Sequence, residues 1–110
     1  MLIRRECLDR TGLLDEDFFM YGEDIDLSYR LLKTGFHNYY FPETKIVHFK
    51  GRSTPRDNYN DILYFYDAMK IYVRKRANEN GSYPWHYFII AAIYFREALA
   101  ILIRFINLRR

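Results

Sequence analysis

Between Asp15 and Asp26 the chain carries six carboxylates in twelve positions: Asp15, Glu16, Asp17, Glu23, Asp24 and Asp26. They flank an apolar run, Phe18-Phe19-Met20-Tyr21. Like charges at this density repel, so the segment folds only where cations or hydrogen bonds offset them. The apolar run is a wall that desolvates a neighbouring carboxylate and moves it towards the working range of a general base. Acid beside aromatic faces also suits a sugar ring, whose apolar side stacks on them. A plainer reading stands alongside: Glu23 and Asp24 open a helix, where unpaired N–H groups and the dipole favour negative charge. Asp26 then meets Arg30 at the i, i+4 spacing, worth about 0.2–0.5 kcal/mol.

The pattern around this segment alternates helical and extended signals. Met1 to Ile3 reads as the end of a strand, followed by a short helix from Arg5 to Arg10 that Gly12 stops. From Glu23 to Lys33, Ile25, Leu27, Leu31 and Leu32 recur at helical spacing, and Gly35 supplies the stop. His37 to Phe41 and Lys45 to Phe49 are rich in aromatic and β-branched residues around Pro42-Glu43-Thr44, the pattern of two short strands. Beyond a loop over Gly51 to Asp57, two long helices are predicted, Asn58 to Ala77 and Trp85 to Asn107, separated by Asn80-Gly81-Ser82. The boundary falls near Pro55, with a mixed α/β piece before it and a two-helix appendage after it.

At 110 residues one folded unit is expected. Half of the residues are apolar and 19% are aromatic, with 11 Tyr and 9 Phe, which excludes a disordered segment. So short a chain cannot easily bury that much, so a further domain, a second copy or a lipid surface is expected to cover part of it. The last helix is the richest source: its apolar residues form a broad face, with His86, Arg96, Glu97, Arg104 and Asn107 within about a third of its circumference. Its charges argue against an ordinary membrane span, and the pattern suits a helix lying in a bilayer interface or against protein. A net charge of +3, with basic residues gathered late in the chain, favours anionic lipid over nucleic acid. Cys7 is the single cysteine, so an intramolecular disulfide and a CxxC-type metal site are excluded. The first residues lack the apolar core of a signal peptide.

The ordered set Asp15-Glu-Asp-Phe-Phe-Met-Tyr-Gly-Glu-Asp-Ile-Asp-Leu-Ser-Tyr-Arg30, then Gly35, Pro42 and His48, resembles the C-terminal half of the GT-A catalytic domain of family 2 glycosyltransferases. The similarity is greatest to the bacterial rhamnosyltransferase-like branch and covers roughly residues 1–53. It implies an α/β fold: the acceptor-side part of a Rossmann-like GT-A domain over residues 1–55. A helical appendage over 56–110 would serve a membrane interface or oligomerisation. It implies that Asp24 is the general base that deprotonates the acceptor hydroxyl for inverting attack on a nucleotide-sugar, with Glu23 orienting the site. His48 is implied as a contact to a metal or the diphosphate, and Phe18, Phe19 and Tyr21 as acceptor-binding aromatics. Mg²⁺ or Mn²⁺ is the implied cofactor, and a nucleotide-sugar and a glycan or lipid-linked acceptor are the implied partners. The membrane surface or a second copy of the chain would meet the last helices, and nucleic acid would not bind. The implied location is cytoplasmic, at the inner face of the bacterial plasma membrane.

The family's nucleotide-binding half ends in an Asp-x-Asp motif upstream of this region. Asp24-Ile25-Asp26 spells that motif but lies inside a predicted helix, so it is read as coincidental. With no glycine-rich phosphate loop, the chain is expected to be a fragment that is inactive alone. Two other classes remain open: a non-catalytic membrane-associating or oligomerising module that keeps a relic of the motif, and a small acidic cation-binding domain.

Overall fold

The structure, a computed structural model, describes residues 1–47, 59–80 and 84–108. Among these described residues there are four helices: α1 (Arg5–Thr11), α2 (Glu23–Lys33), α3 (Tyr59–Asn80) and α4 (Trp85–Leu108). The α/β expectation is therefore corrected to a helical architecture, because no strand occurs among the described residues. Met1 to Ile3 and the described parts of the two predicted strands, 37–41 and 45–47, are irregular. Tyr39, Tyr40, Ile46 and Val47 have the side chains of a strand but stand exposed. β-branched and aromatic residues favour a strand only when a neighbour accepts its backbone hydrogen bonds and covers its face. Among the described residues no strand runs beside these segments.

The helices form for reasons visible in the chain. α1 ends where the Gly12 N–H donates to the Leu8 carbonyl at 2.8 Å and the Thr11 hydroxyl donates to the Cys7 carbonyl at 2.8 Å. α2 ends in a Schellman motif: the Phe36 N–H donates to the Leu31 carbonyl and the Gly35 N–H to the Leu32 carbonyl, each at 3.1 Å. Gly35 takes φ +86°, which a side chain would resist. Phe36 then packs on Leu31, joining Cys7 and Leu27 in a small core between α1 and α2, with Ile3 and Leu8 at its edge.

Helices α3 and α4 form an antiparallel pair. Ala68 and Ile93 are buried, and Lys70 of α3 reaches Glu97 of α4 at 3.1 Å and lies 4.8 Å from the Tyr94 ring. Burial opposes the charge on Lys70, but hydrogen bonds to Asp67 and Glu97 carry its pKa above the ordinary lysine value. The pair is joined to α2 by charge. Arg76 of α3 donates to Asp26 at 2.6 Å, and Lys33 donates to Glu79 at 2.7 Å.

This architecture leaves much apolar surface uncovered. The chain exposes 9474 Å², where a compact monomer of its mass exposes about 6,500 Å². Trp85, Tyr87, Phe88, Phe95, Leu102 and Phe105 of α4 are all exposed. Among the described residues no helix is long and apolar enough to cross a membrane.

Candidate functional site

The acidic segment forms the loop between α1 and α2, and cations from two helices hold it. Arg30 of α2 donates through its guanidinium to the Thr11 carbonyl at 2.5 Å and the Leu13 carbonyl at 2.8 Å, fixing where the loop leaves α1. The Asp15 carboxylate accepts the Asp17 N–H at 3.0 Å and the Asp15 carbonyl accepts the Phe18 N–H at 3.2 Å, so residues 15–18 make a tight turn. Lys75 of α3 pairs with Asp15 and lies 2.6 Å from Asp17. Its hydrogen bond holds Asp15 below the usual carboxylate range, and the two carboxylates push Lys75 above the ordinary lysine value.

Phe18 turns inward and is 6% exposed, with the Lys75 ammonium 5.6 Å from the centre of its ring. Its ring presses on the backbone of Gly22, where an added Cβ would come within 3.1 Å of it. Gly22 lies at φ +86°, and the residue before it, Tyr21, takes φ +68°. A bulky residue in the left-handed region is uncommon and strained, and such strain concentrates at functional sites. The turn carries Tyr21 outward, edge-on to Phe65 with ring centres 6.0 Å apart. Phe19 is 76% exposed and lies on Tyr64, with ring centres 4.9 Å apart.

The strained turn opens directly into α2. Gly22 is its N-cap residue and its carbonyl accepts the Asp26 N–H at 2.9 Å. Glu23 and Asp24 occupy the first turn. Asp24 is exposed, and its carboxylate accepts the Ile25 N–H at 2.8 Å. Glu23 is partly buried, and one of its carboxylate oxygens has neither solvent contact nor a hydrogen-bond partner among the described residues. Asp26 lies across the helix from Asp24, one turn on from Glu23, and is fully buried. It accepts Arg30 at 2.8 Å and Arg76 at 2.6 Å, while the Arg76 guanidinium stacks 3.9 Å from the Tyr29 ring.

The expected site residues therefore separate. Glu23, Asp24, Phe19 and Tyr21 lie on or beside the strained turn, with Asp24, Phe19 and Tyr21 turned to solvent. Phe18 is in the core, where its ring supports the turn and offers no face to a sugar. The apolar wall thus does not cover Asp24, which is exposed. His48 lies outside the described residues. Among the described residues no three His, Cys, Asp or Glu side chains converge on a metal-sized site.

Helix α3 supplies what the motif alone did not reveal. Lys75 and Arg76 neutralise Asp15, Asp17 and Asp26, and the clue was charge balance, since six carboxylates need cations and Arg74-Lys75-Arg76 is a dense basic run. A cleft of about 380 Å³ opens beside Phe19, between the loop, α3 and α4, and neither Glu23 nor Asp24 lines it.

A sequence model of the family described as "Glycosyltransferase like family 2" matches residues 1–77, a span that includes most of α3. The chain is 30% identical over 101 residues to the N-acetylglucosaminyl-diphospho-decaprenol L-rhamnosyltransferase of Mycobacterium tuberculosis, in two strains. The alignment covers 92% of this chain and 33% of each relative, so the chain spans about a third of the length of the curated relatives it matches. No solved structure matches it.

Proposed function

Since the chain belongs to the family 2 glycosyltransferases, we propose that it supplies the acceptor-side, base-bearing part of an inverting sugar transferase. The donor is a nucleotide-sugar and the acceptor a glycan or a lipid-linked sugar. The observation that carries this reading is the Glu23-Asp24 pair at the N-terminus of α2, presented by a strained turn beside the exposed rings of Phe19 and Tyr21.

In the proposed step the Asp24 carboxylate accepts the proton of the acceptor hydroxyl as its oxygen bonds to the anomeric carbon. The bond from that carbon to the diphosphate breaks, the electron pair leaves with the diphosphate, and the configuration inverts. Glu23 orients the site from beside Asp24 in the first turn of α2, and Phe19 and Tyr21 stack against the sugar. Phe18 acts only through the turn it supports. Mg²⁺ or Mn²⁺ belongs to the parent enzyme in this reading. The described residues do not form a metal site by themselves, so no step is assigned to the ion.

The wide apolar face of α4 and the lipid in the relatives' name support a location at the cytoplasmic face of the bacterial plasma membrane, with α4 lying in the lipid interface. The test is Asp24→Asn in the intact enzyme, which keeps shape and removes basicity. Loss of a general base typically lowers the rate about 10²–10⁴-fold, and near-normal turnover would refute the assignment.

A further inference from the structure

The loop that carries Phe19 and Tyr21 lies along α3 in one direction. Asp15 and Asp17 meet Lys75, and the Phe18 ring lies 5.6 Å from the Lys75 ammonium. Further on, Phe19 rests on Tyr64 and Tyr21 on Phe65. Tyr64 and Phe65 precede Lys75 by about three turns, roughly 15–17 Å of helix axis. The loop therefore runs antiparallel to α3, fastened by charge at one end and by rings at the other.

The two fastenings differ in what they can specify. Ring pairs accept offset and edge-on arrangements over centre separations of about 4.5–7 Å. The consecutive rings Tyr64, Phe65 and Tyr66 offer alternative seats, so ring contact alone would let the loop slip along the helix. A lysine ammonium shared by two carboxylates is short-range and charge-assisted, and it fixes one register. Lys75 also supports the strained turn. Tyr21 takes φ +68°, and such a backbone persists only where its surroundings over-determine it. The buried Phe18 ring presses on Gly22, and the residue before Phe18 is Asp17, 2.6 Å from Lys75. Lys75 thus holds residues 15, 17 and 18, while the strain sits beyond its own contacts at Tyr21.

We propose that Lys75 is a positioning residue of the acceptor site. It fixes the register of the loop on α3, and with it the places of the Phe19 and Tyr21 rings and the left-handed turn before Asp24, without touching the acceptor. The inference rests on the transferase reading for what the rings bind, and it adds the residue that places them.

NMR of the 110-residue chain, recorded well below the thermal midpoint of each variant, tests it. A left-handed Tyr21 gives a strong cross-peak between its own amide and α protons, and the ring pairs give Tyr21–Phe65 and Phe19–Tyr64 cross-peaks. Lys75→Met is expected to lose all three while α2 and α3 keep their helical amide pattern. Lys75→Arg, which keeps a cation for both carboxylates, should restore them. Lys33→Met breaks the other lysine link between α2 and α3, Lys33 to Glu79, and should leave them in place. Cross-peaks that survive in Lys75→Met would overturn the proposal. Equal losses in Lys75→Met and Lys33→Met would do so too, because Lys75 would then act only through overall stability. The double variant Asp15→Asn/Asp17→Asn removes the clamp from the loop side and should give the same losses. A full set of cross-peaks in it would refute the clamp even were Lys75→Met unfolded. Titration with N-acetylglucosamine as a sugar probe should shift the Phe19 and Tyr21 ring signals in the parent and in Lys75→Arg, and much less in Lys75→Met. Equal shifts in the parent and Lys75→Met would overturn the link between clamp and site. Parent rings that ignore the sugar would overturn the acceptor role together with the stacking it rests on, whereas the cross-peaks read the clamp alone.

Discussion

Asp26 is fully buried, a carboxylate without solvent contact between two guanidiniums. Replacing it with Ala leaves Arg30 and Arg76 facing each other in a poorly hydrated site. Breaking a buried pair in this way costs about 3–5 kcal/mol, so Asp26→Ala should lower the thermal midpoint by more than ten degrees or leave the chain unfolded. A midpoint within a few degrees of the parent would show that water compensates the arginines. Tyr21 poses the opposite case. Tyr21→Gly relieves the left-handed backbone while losing the Phe65 contact, so folding should stay within about 1 kcal/mol as transfer by the intact enzyme falls. A loss of several kcal/mol would make Tyr21 a structural residue. Half of this was legible in the chain: the Asp26–Arg30 pair follows from helical spacing, whereas Arg76 is 50 positions away and no local pattern points to it. The φ of Tyr21 was equally hidden, since nothing in Met-Tyr-Gly-Glu marks the tyrosine for the left-handed region.

Between elements, the loop at 15–17 is lashed to α3 by Lys75, and this link should respond to acid. The folded pKa of Asp15 is depressed below its reference value of 3.8. Its contribution to stability is therefore complete above that value and is lost as the pH falls through the lower, folded one. Lys75 is raised above 10.5, so its contribution holds below that value and fades only as the pH climbs through the folded one. Lys75→Met should consequently lower the thermal midpoint at neutral pH, and its deficit against the parent should shrink in strong acid. A deficit that is the same at about pH 3 and pH 7 would show that packing of the lysine stem, not its charge, holds the loop. At this scale the sequence was read well for helices, since caps and periodicity are local. α2 spans the expected residues, and α3 and α4 differ by a few positions at their ends. The strands failed because pairing is not local: Tyr39-Tyr40-Phe41 has strand composition but no neighbour among the described residues.

Taken whole, the chain has more apolar surface than four helices can hide, and α4 carries a larger share of it than any other helix. The chain should therefore float with liposomes containing anionic lipid, and salt should weaken the attachment through the basic residues of this end. A monodisperse monomer that ignores vesicles would count against the interfacial assignment of α4. By the same reading the 110-residue chain alone should transfer no sugar and bind no nucleotide-sugar. Saturable micromolar binding of a uridine or thymidine diphosphate sugar would refute that. The excess apolar area and its concentration on the last helix were legible in the sequence, but the face left open was not, because that is decided only when α3 and α4 pair.

The reach from Asp26 to Arg76 also bears on how the chain comes into being. The two partners are 50 residues apart, and synthesis proceeds at about 5–20 residues per second. For roughly 3–10 s the nascent α2 therefore exists before its second arginine has been made. During that interval Arg30 is the cation at hand, and its additional bonds to the Thr11 and Leu13 carbonyls close the α1–α2 hairpin from within. The Arg30 bonds can thus form first, and arrival of α3 completes the charge balance rather than starting it.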